Sequence, residues 1–147
     1  MDIKDTKQAR VRVAFDGRVT KEFAGPMAVE RFENERRVLR YLEAKNCPFV
    51  PRVLGEDPEI PALITSNCGQ VVDKISHERL QKLFAELETY GVRHEDAFVR
   101  NVTYSPHLGR FCLIDFEFAT ILETGEGLVV ENVEAYRRQT QRRRITE

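Results

Sequence analysis

Two charged residues stand where a simple core admits none. Val11, Val13 and Phe15 alternate with Arg10, Arg12 and Ala14, which is a strand pattern. Val19, Lys21 and Phe23 form the apolar face of a return strand, so Lys21 lies between two apolar side chains. Further on, Ala28, Phe32, Glu35, Leu39 and Leu42 recur at three- and four-residue spacing and form one face of a helix. Glu35 sits in the middle of that face, while Glu30 and Glu33 point elsewhere. Buried charge is costly unless paired. Two arrangements satisfy this. Either strand and helix pack so that Lys21 and Glu35 meet, or Lys21 snorkels to solvent and Glu35 lies at the edge of the stripe.

The other elements follow from the same periodicities. Asp16-Gly17 marks the turn of the first hairpin. A three-residue loop, Asp16 to Arg18, pairs Phe15 with Val19 and Val13 with Lys21, which aligns the apolar faces. Gly25-Pro26 opens a helix over Met27 to Ala44, and Asn46-Cys47-Pro48 ends it. Short strands are expected at Arg52–Gly55 and Ala62–Thr65, then a connector at Asn67-Cys68-Gly69. A second helix runs from His77 to Tyr90, with Ser76 as its N-cap and Leu80, Leu83, Phe84 and Leu87 as its apolar face. A second hairpin joins Val102–Tyr104 to Phe111–Ile114. A polar helix is expected from Glu131 to Arg144.

Composition narrows the function classes. The chain has 147 residues, enough to bury a core, and 32% are charged against 41% hydrophobic. That balance excludes a disordered chain and a disulfide scaffold. No apolar run approaches a membrane span, so no membrane association is expected. Lys and Arg number 23 against 24 Asp and Glu, but the balance is uneven. Residues 137–147 hold five Arg and one acid, which leaves 18 basic and 23 acidic side chains before them. This tail reads as a solvated helix face or as a docking segment for an acidic partner. With no aromatic interleaved beyond Tyr136, nucleic acid is not an expected partner. Cys47, Cys68 and Cys112 are far apart and form no CxxC pair, so neither zinc nor a disulfide is expected, and a reducing cytoplasm is the simplest setting.

The densest chemistry lies between residues 91 and 117. Gly91 stops the second helix, and His94, Asp96 and Asn101 follow on a loop. Asp115 comes fourteen residues after Asn101, at the end of the apolar strand Phe111-Cys112-Leu113-Ile114. Two carboxylates and an amide oxygen brought together this way suit a hard divalent cation with phosphate ligands.

At these residues the sequence resembles the protein-kinase-like superfamily. His94-x-Asp96-x-x-x-x-Asn101 is similar to the catalytic loop, and Asp115-Phe116-Glu117 to the metal-binding DFG segment. Val19-Thr20-Lys21 resembles the third-strand lysine, and Asn34-Glu35-Arg36 the glutamate of the following helix. Ala62 to Gly69 resembles the fifth strand and hinge. The resemblance spans residues 10–120. It implies an α+β, truncated bilobal kinase-like fold over residues 1–123. An antiparallel N-lobe sheet with one helix would run from about 8 to 66, a hinge from 66 to 70 and a minimal helical C-lobe from 71 to 123, with residues 124–147 as tail.

The implied activity is an atypical serine/threonine protein kinase that transfers the γ-phosphate of ATP to a hydroxyl. The implied cofactors are ATP and Mg²⁺, or Mn²⁺. Lys21 would contact the α- and β-phosphates and be oriented by Glu35. Asp96 would orient the acceptor hydroxyl or accept its proton. Asn101 and Asp115 would hold the metal, and Thr65, Ser66, Asn67 and Cys68 would offer backbone hydrogen bonds to adenine.

The chain also departs from that pattern. Ten residues precede Val11 and none is Gly, so both the Gly-rich loop and the first strand are expected to be missing. Glu95 replaces the Arg that usually receives an activation-loop phosphate. Glu117 stands in the third DFG position, as in aminoglycoside and choline kinases. A pseudokinase that binds a partner and a small-molecule kinase are therefore the alternative readings.

Overall fold

Strand β2 (Ala9–Val13) and strand β3 (Val19–Phe23) form the first hairpin. The computed structural model describes residues 3–5 and 8–128. The hairpin register differs from the expected one. Val13 pairs with Val19 and Val11 with Lys21, so the connection is Ala14 to Arg18. Phe15 lies on that connection and is 97% exposed, not paired with Val19. The turn chemistry explains the change. Arg18 N–H donates to Asp16 Oδ1 at 3.0 Å, Gly17 N–H to the Ala14 carbonyl at 2.9 Å, and Gly17 adopts φ 89°. A two-residue slip keeps every side chain on its face, so Lys21 still points with Val19 and Phe23.

A further strand precedes this hairpin, which corrects the expectation that it is missing. Strand β1 (Ile3–Asp5) pairs antiparallel with β2, Ile3 opposite Arg12. The sheet-bearing region therefore begins before residue 8. Strands β4 (Val53–Asp57) and β5 (Ala62–Thr65) complete a five-stranded antiparallel sheet in the order β1-β2-β3-β5-β4.

Helix α1 (Ala28–Ala44) packs beside this sheet. Met27, its N-cap residue, takes a left-handed conformation at φ 60°, which turns the chain from β3 into the helix. The expected face is buried from its second residue on: Phe32, Glu35, Leu39 and Leu42 are all at most 4% exposed, while Ala28 at its start is half-buried. Arg31, Asn34 and Val38 are buried with them.

The second part is built from β6 (Gln70–Val71), α2 (His77–Thr89), β7 (Val92–Arg93), β8 (Val102–Ser105), β9 (Arg110–Leu113) and β10 (Thr120–Ile121). Ser76 Oγ accepts from Arg79 N–H at 3.2 Å and caps α2 as expected. A three-stranded sheet has the order β6-β8-β9, and β10 pairs with β7. One continuous core runs through both parts, from Phe23, Phe32 and Leu39 to Leu87, Leu113 and Ile121. The molecule is thus α+β, with two helices and antiparallel sheets among the described residues.

All three cysteines are buried and free. Among the described residues, no helix is long and apolar enough to cross a membrane. The helix expected over residues 131–144 and the Arg-rich tail lie outside the described residues.

Candidate functional site

Lys21 and Glu35 meet, which decides between the two arrangements open in the sequence. Lys21 Nζ donates to Glu35 Oε1 at 2.9 Å, with side chains 12% and 5% exposed. The same ammonium lies 3.1 Å from Asp115 Oδ1 and 3.3 Å from Glu117 Oε2. Three carboxylates therefore surround one lysine. Burial by itself would lower the Lys21 pKa, but Asp115, Glu117 and Glu35 together outweigh it and hold it well above the ordinary lysine value. Burial pushes the Glu35 carboxyl up, Lys21 pulls it back, and the nearby Asp115 and Glu117 push it up again.

Asp115 is reached from β9 through a strained residue. It adopts φ 63°, a left-handed conformation that costs a non-glycine residue about 1–3 kcal/mol unless its surroundings enforce it. Two neighbours supply the enforcement. Phe116 N–H donates to Glu35 Oε2 at 2.8 Å, and the Phe116 ring is buried against His94 at 4.9 Å.

The loop with Asp96 and Asn101 is stitched to the same segment. Ile114 N–H donates to the Asn101 carbonyl at 3.0 Å, and the Ile114 carbonyl lies 2.8 Å from His94 Nε2. His94 Nδ1 accepts Asp96 N–H at 3.2 Å, which assigns the ring proton to Nε2, facing Ile114. The Asp96 carboxylate is engaged on both oxygens. Arg100 donates to Oδ1 at 2.7 Å and Asn101 Nδ2 to Oδ2 at 3.0 Å. Arg100 also lies over the Phe98 ring at 4.6 Å. Glu95, at φ 69°, accepts from Thr120 Oγ1 at 3.0 Å.

The segment Thr65 to Cys68 leads from β5 to β6. Thr65 is 9% exposed and pairs with Val19 and Val53. Ser66 N–H is taken by the Arg52 carbonyl at 2.9 Å, and the Cys68 carbonyl accepts from Thr103 Oγ1 at 2.6 Å. Both groups are therefore committed within the fold.

The sequence-predicted residues fall into two joined groups. Lys21, Glu35 and Asp115 make one, Asp96 and Asn101 the other, and Ile114 connects them. Arg31 and Asn34 were not expected here. Arg31 is fully buried and 3.2 Å from Glu117 Oε2, and Asn34 Nδ2 donates to the Glu117 and Ala119 carbonyls at 3.0 and 2.9 Å. Helical spacing could have flagged Arg31, since it follows Ala28 by three residues and precedes Glu35 by four. Across Lys21, Arg31, Glu35, Asp115 and Glu117, two formal positive charges face three negative ones.

Among the described residues, no three His, Cys, Asp or Glu side chains are grouped to hold a metal by themselves. No family model matches the chain, and no curated protein matches it.

Proposed function

We propose that this chain is a minimal protein-kinase-like phosphotransferase of truncated bilobal form, which passes the γ-phosphate of ATP to a protein hydroxyl. The observation that carries the reading is the lysine with its two partners: Lys21 Nζ lies 2.9 Å from Glu35 and 3.1 Å from Asp115. The order of elements supports it. Lys21 is on the third strand, Glu35 on the helix that follows and Thr65 at the end of the fifth strand.

The donor chemistry fits Mg²⁺ bound together with nucleotide. Mg²⁺ is commonly held by one or two carboxylates plus substrate phosphates, so a dedicated cage of three acidic ligands is not required. The excess negative charge of the buried group also favours a cation. Asn101 and Asp115 would hold it, and when bound it would neutralise charge on the transferring phosphate.

The protein's own groups have distinct tasks in this reading. Lys21 binds the α- and β-phosphates, and Glu35 orients it. Asn101 Nδ2 fixes the Asp96 carboxylate. Asp96 orients the acceptor hydroxyl or takes its proton. The backbone of Thr65, Ser66, Asn67 and Cys68 would meet adenine, with the Ser66 N–H and the Cys68 carbonyl already committed within the fold. Positioning and charge supply most of the rate in such a reaction.

One observation favours a second reading, a partner-binding pseudokinase. The Arg100 guanidinium already occupies Asp96 Oδ1 at 2.7 Å, where an acceptor hydroxyl would bond. A calorimetric titration with ATP, with and without Mg²⁺ or Mn²⁺, tests both. Metal-dependent binding is expected. No binding rules out the phosphotransferase and leaves the partner-binding module. If binding occurs, radiolabelled transfer to protein substrates separates the two, and transfer that survives Asp96→Asn sinks the mechanism.

A further inference from the structure

Arg31 is a fully buried charge with no free donor. A guanidinium carries five N–H groups. Among the described residues it makes five hydrogen bonds: Nε to the Pro26 carbonyl at 3.1 Å, Nη1 and Nη2 each to the Gln8 carbonyl at 3.4 Å, Nη2 to the Ala24 carbonyl, and Nη1 to Glu117 Oε2 at 3.2 Å. Arg31 thereby ties three segments to α1: the residue before β2, the connection from β3, and the stretch after β9.

Glu117 is the acidic end of this arrangement. Its Oε2 is shared between Arg31 and Lys21, at 3.2 and 3.3 Å. Its carbonyl is held by Asn34. The backbone just before it is held by Glu35 through Phe116 N–H. Three side chains of one helix thus grip the turn that carries the strained Asp115.

We propose that Arg31 and Glu117 are a positioning pair that keeps Lys21, Glu35 and Asp115 assembled. What the assembled site then does rests on the phosphotransferase reading. The pair itself is a matter of geometry and is tested separately.

The test uses the full chain with three variants: Arg31→Met/Glu117→Leu, which replaces the buried pair by apolar groups, and Glu117→Gln and Arg31→Lys singly. Replacing both partners of a buried pair is often neutral for stability. Here Arg31→Met also gives up the donors to the Pro26, Gln8 and Ala24 carbonyls, so the double variant is expected to fold but to melt below wild type. Amide exchange at Phe116 should still rise about tenfold relative to the exchange of core amides in β5, and Mg²⁺-ATP affinity should fall about tenfold. Glu117→Gln, which keeps the shape, should show the same local exchange, and Arg31→Lys should recover part of the protection. Unchanged Phe116 exchange in a folded double variant overturns the pair as a positioning element. If the double variant does not fold, unchanged exchange in Glu117→Gln overturns it instead. A wild type that binds no nucleotide defeats the phosphotransferase reading, while the exchange data still judge the pair.

Discussion

Glu35 and Phe116 are joined by a hydrogen bond of 2.8 Å from the Phe116 amide to the Glu35 carboxylate. The other oxygen of the same carboxylate holds Lys21. One side chain on α1 therefore sets both the lysine on the sheet and the backbone beside Asp115. This bidentate use explains why Glu35 tolerates burial at 4% exposure despite its raised pKa.

The first prediction follows from that double role. Glu35→Ala leaves Lys21 among fewer acceptors and orphans the Phe116 amide in the core. Removing one partner of a buried pair costs about 3–5 kcal/mol. Glu35→Gln keeps an oxygen for the Phe116 amide and loses only the charge, so it should cost about 1–3 kcal/mol less than Glu35→Ala. Urea unfolding of the three proteins measures the order. Equal losses in both variants would show that the Phe116 bond carries no stability.

How far the sequence discloses this arrangement depends on element length. Lys21 and Glu35 are legible because each interrupts an apolar stripe long enough to have a period. Arg31 and Asn34 lie on the same buried helix surface, yet a stripe read from apolar residues passes over them. Their burial is decided by Glu117 and Ala119, more than eighty residues away. β6, β7 and β10 have two residues each, too few for any alternation, and exist only through distant partners such as Val92 with Ile121. β1 has three residues and needs β2 beside it. The hairpin register turned on the Asp16 side chain, which competes with strand pairing for the turn and leaves Phe15 outside.

The second prediction contrasts two glycines. Gly69 adopts φ +91°, and a Cβ added there would collide with the Tyr104 backbone carbonyl. Backbone cannot step aside as a flexible side chain can, so Gly69→Ala must shift the β6–β8 pairing and the Cys68 carbonyl bonded to Thr103. Gly109 has φ +66° but open space around its Cβ position, so Gly109→Ala meets only the local conformational cost. Gly109→Ala should cost about 1 kcal/mol and Gly69→Ala at least 2 kcal/mol. Gly69→Ala should also weaken nucleotide binding if the segment from Thr65 to Cys68 meets adenine. Thermal melts of both variants, followed by the nucleotide titration, check the pair; equal melting temperatures would contradict the collision.

The third prediction concerns alkaline pH. Burial pushes the Cys47 thiol from its ordinary 9.0 up to about 11, a rise that the Phe49 backbone and Arg110 only partly oppose. Lys21 is likewise held above its ordinary 10.5, because the carboxylates around it outweigh its burial. Both folded values exceed the unfolded ones. Each group therefore binds its proton more tightly in the folded chain, and each contribution is complete below the unfolded value and lost as pH rises through the folded one. Stability from these two groups should be level from pH 7 to 9. Cys47 begins the decline between pH 9 and 11, and Lys21 extends it above 10.5. Cys47→Ala should flatten the first part of that decline by about 2 kcal/mol without altering its later course. Urea midpoints at pH 7.5, 9, 10 and 11 give the slope for wild type and variant. Identical slopes between pH 9 and 11 would remove the Cys47 thiol as a cause and leave the alkaline loss to Lys21 and to Cys68, whose thiol the Cys112 hydrogen bond and burial also hold above its ordinary value.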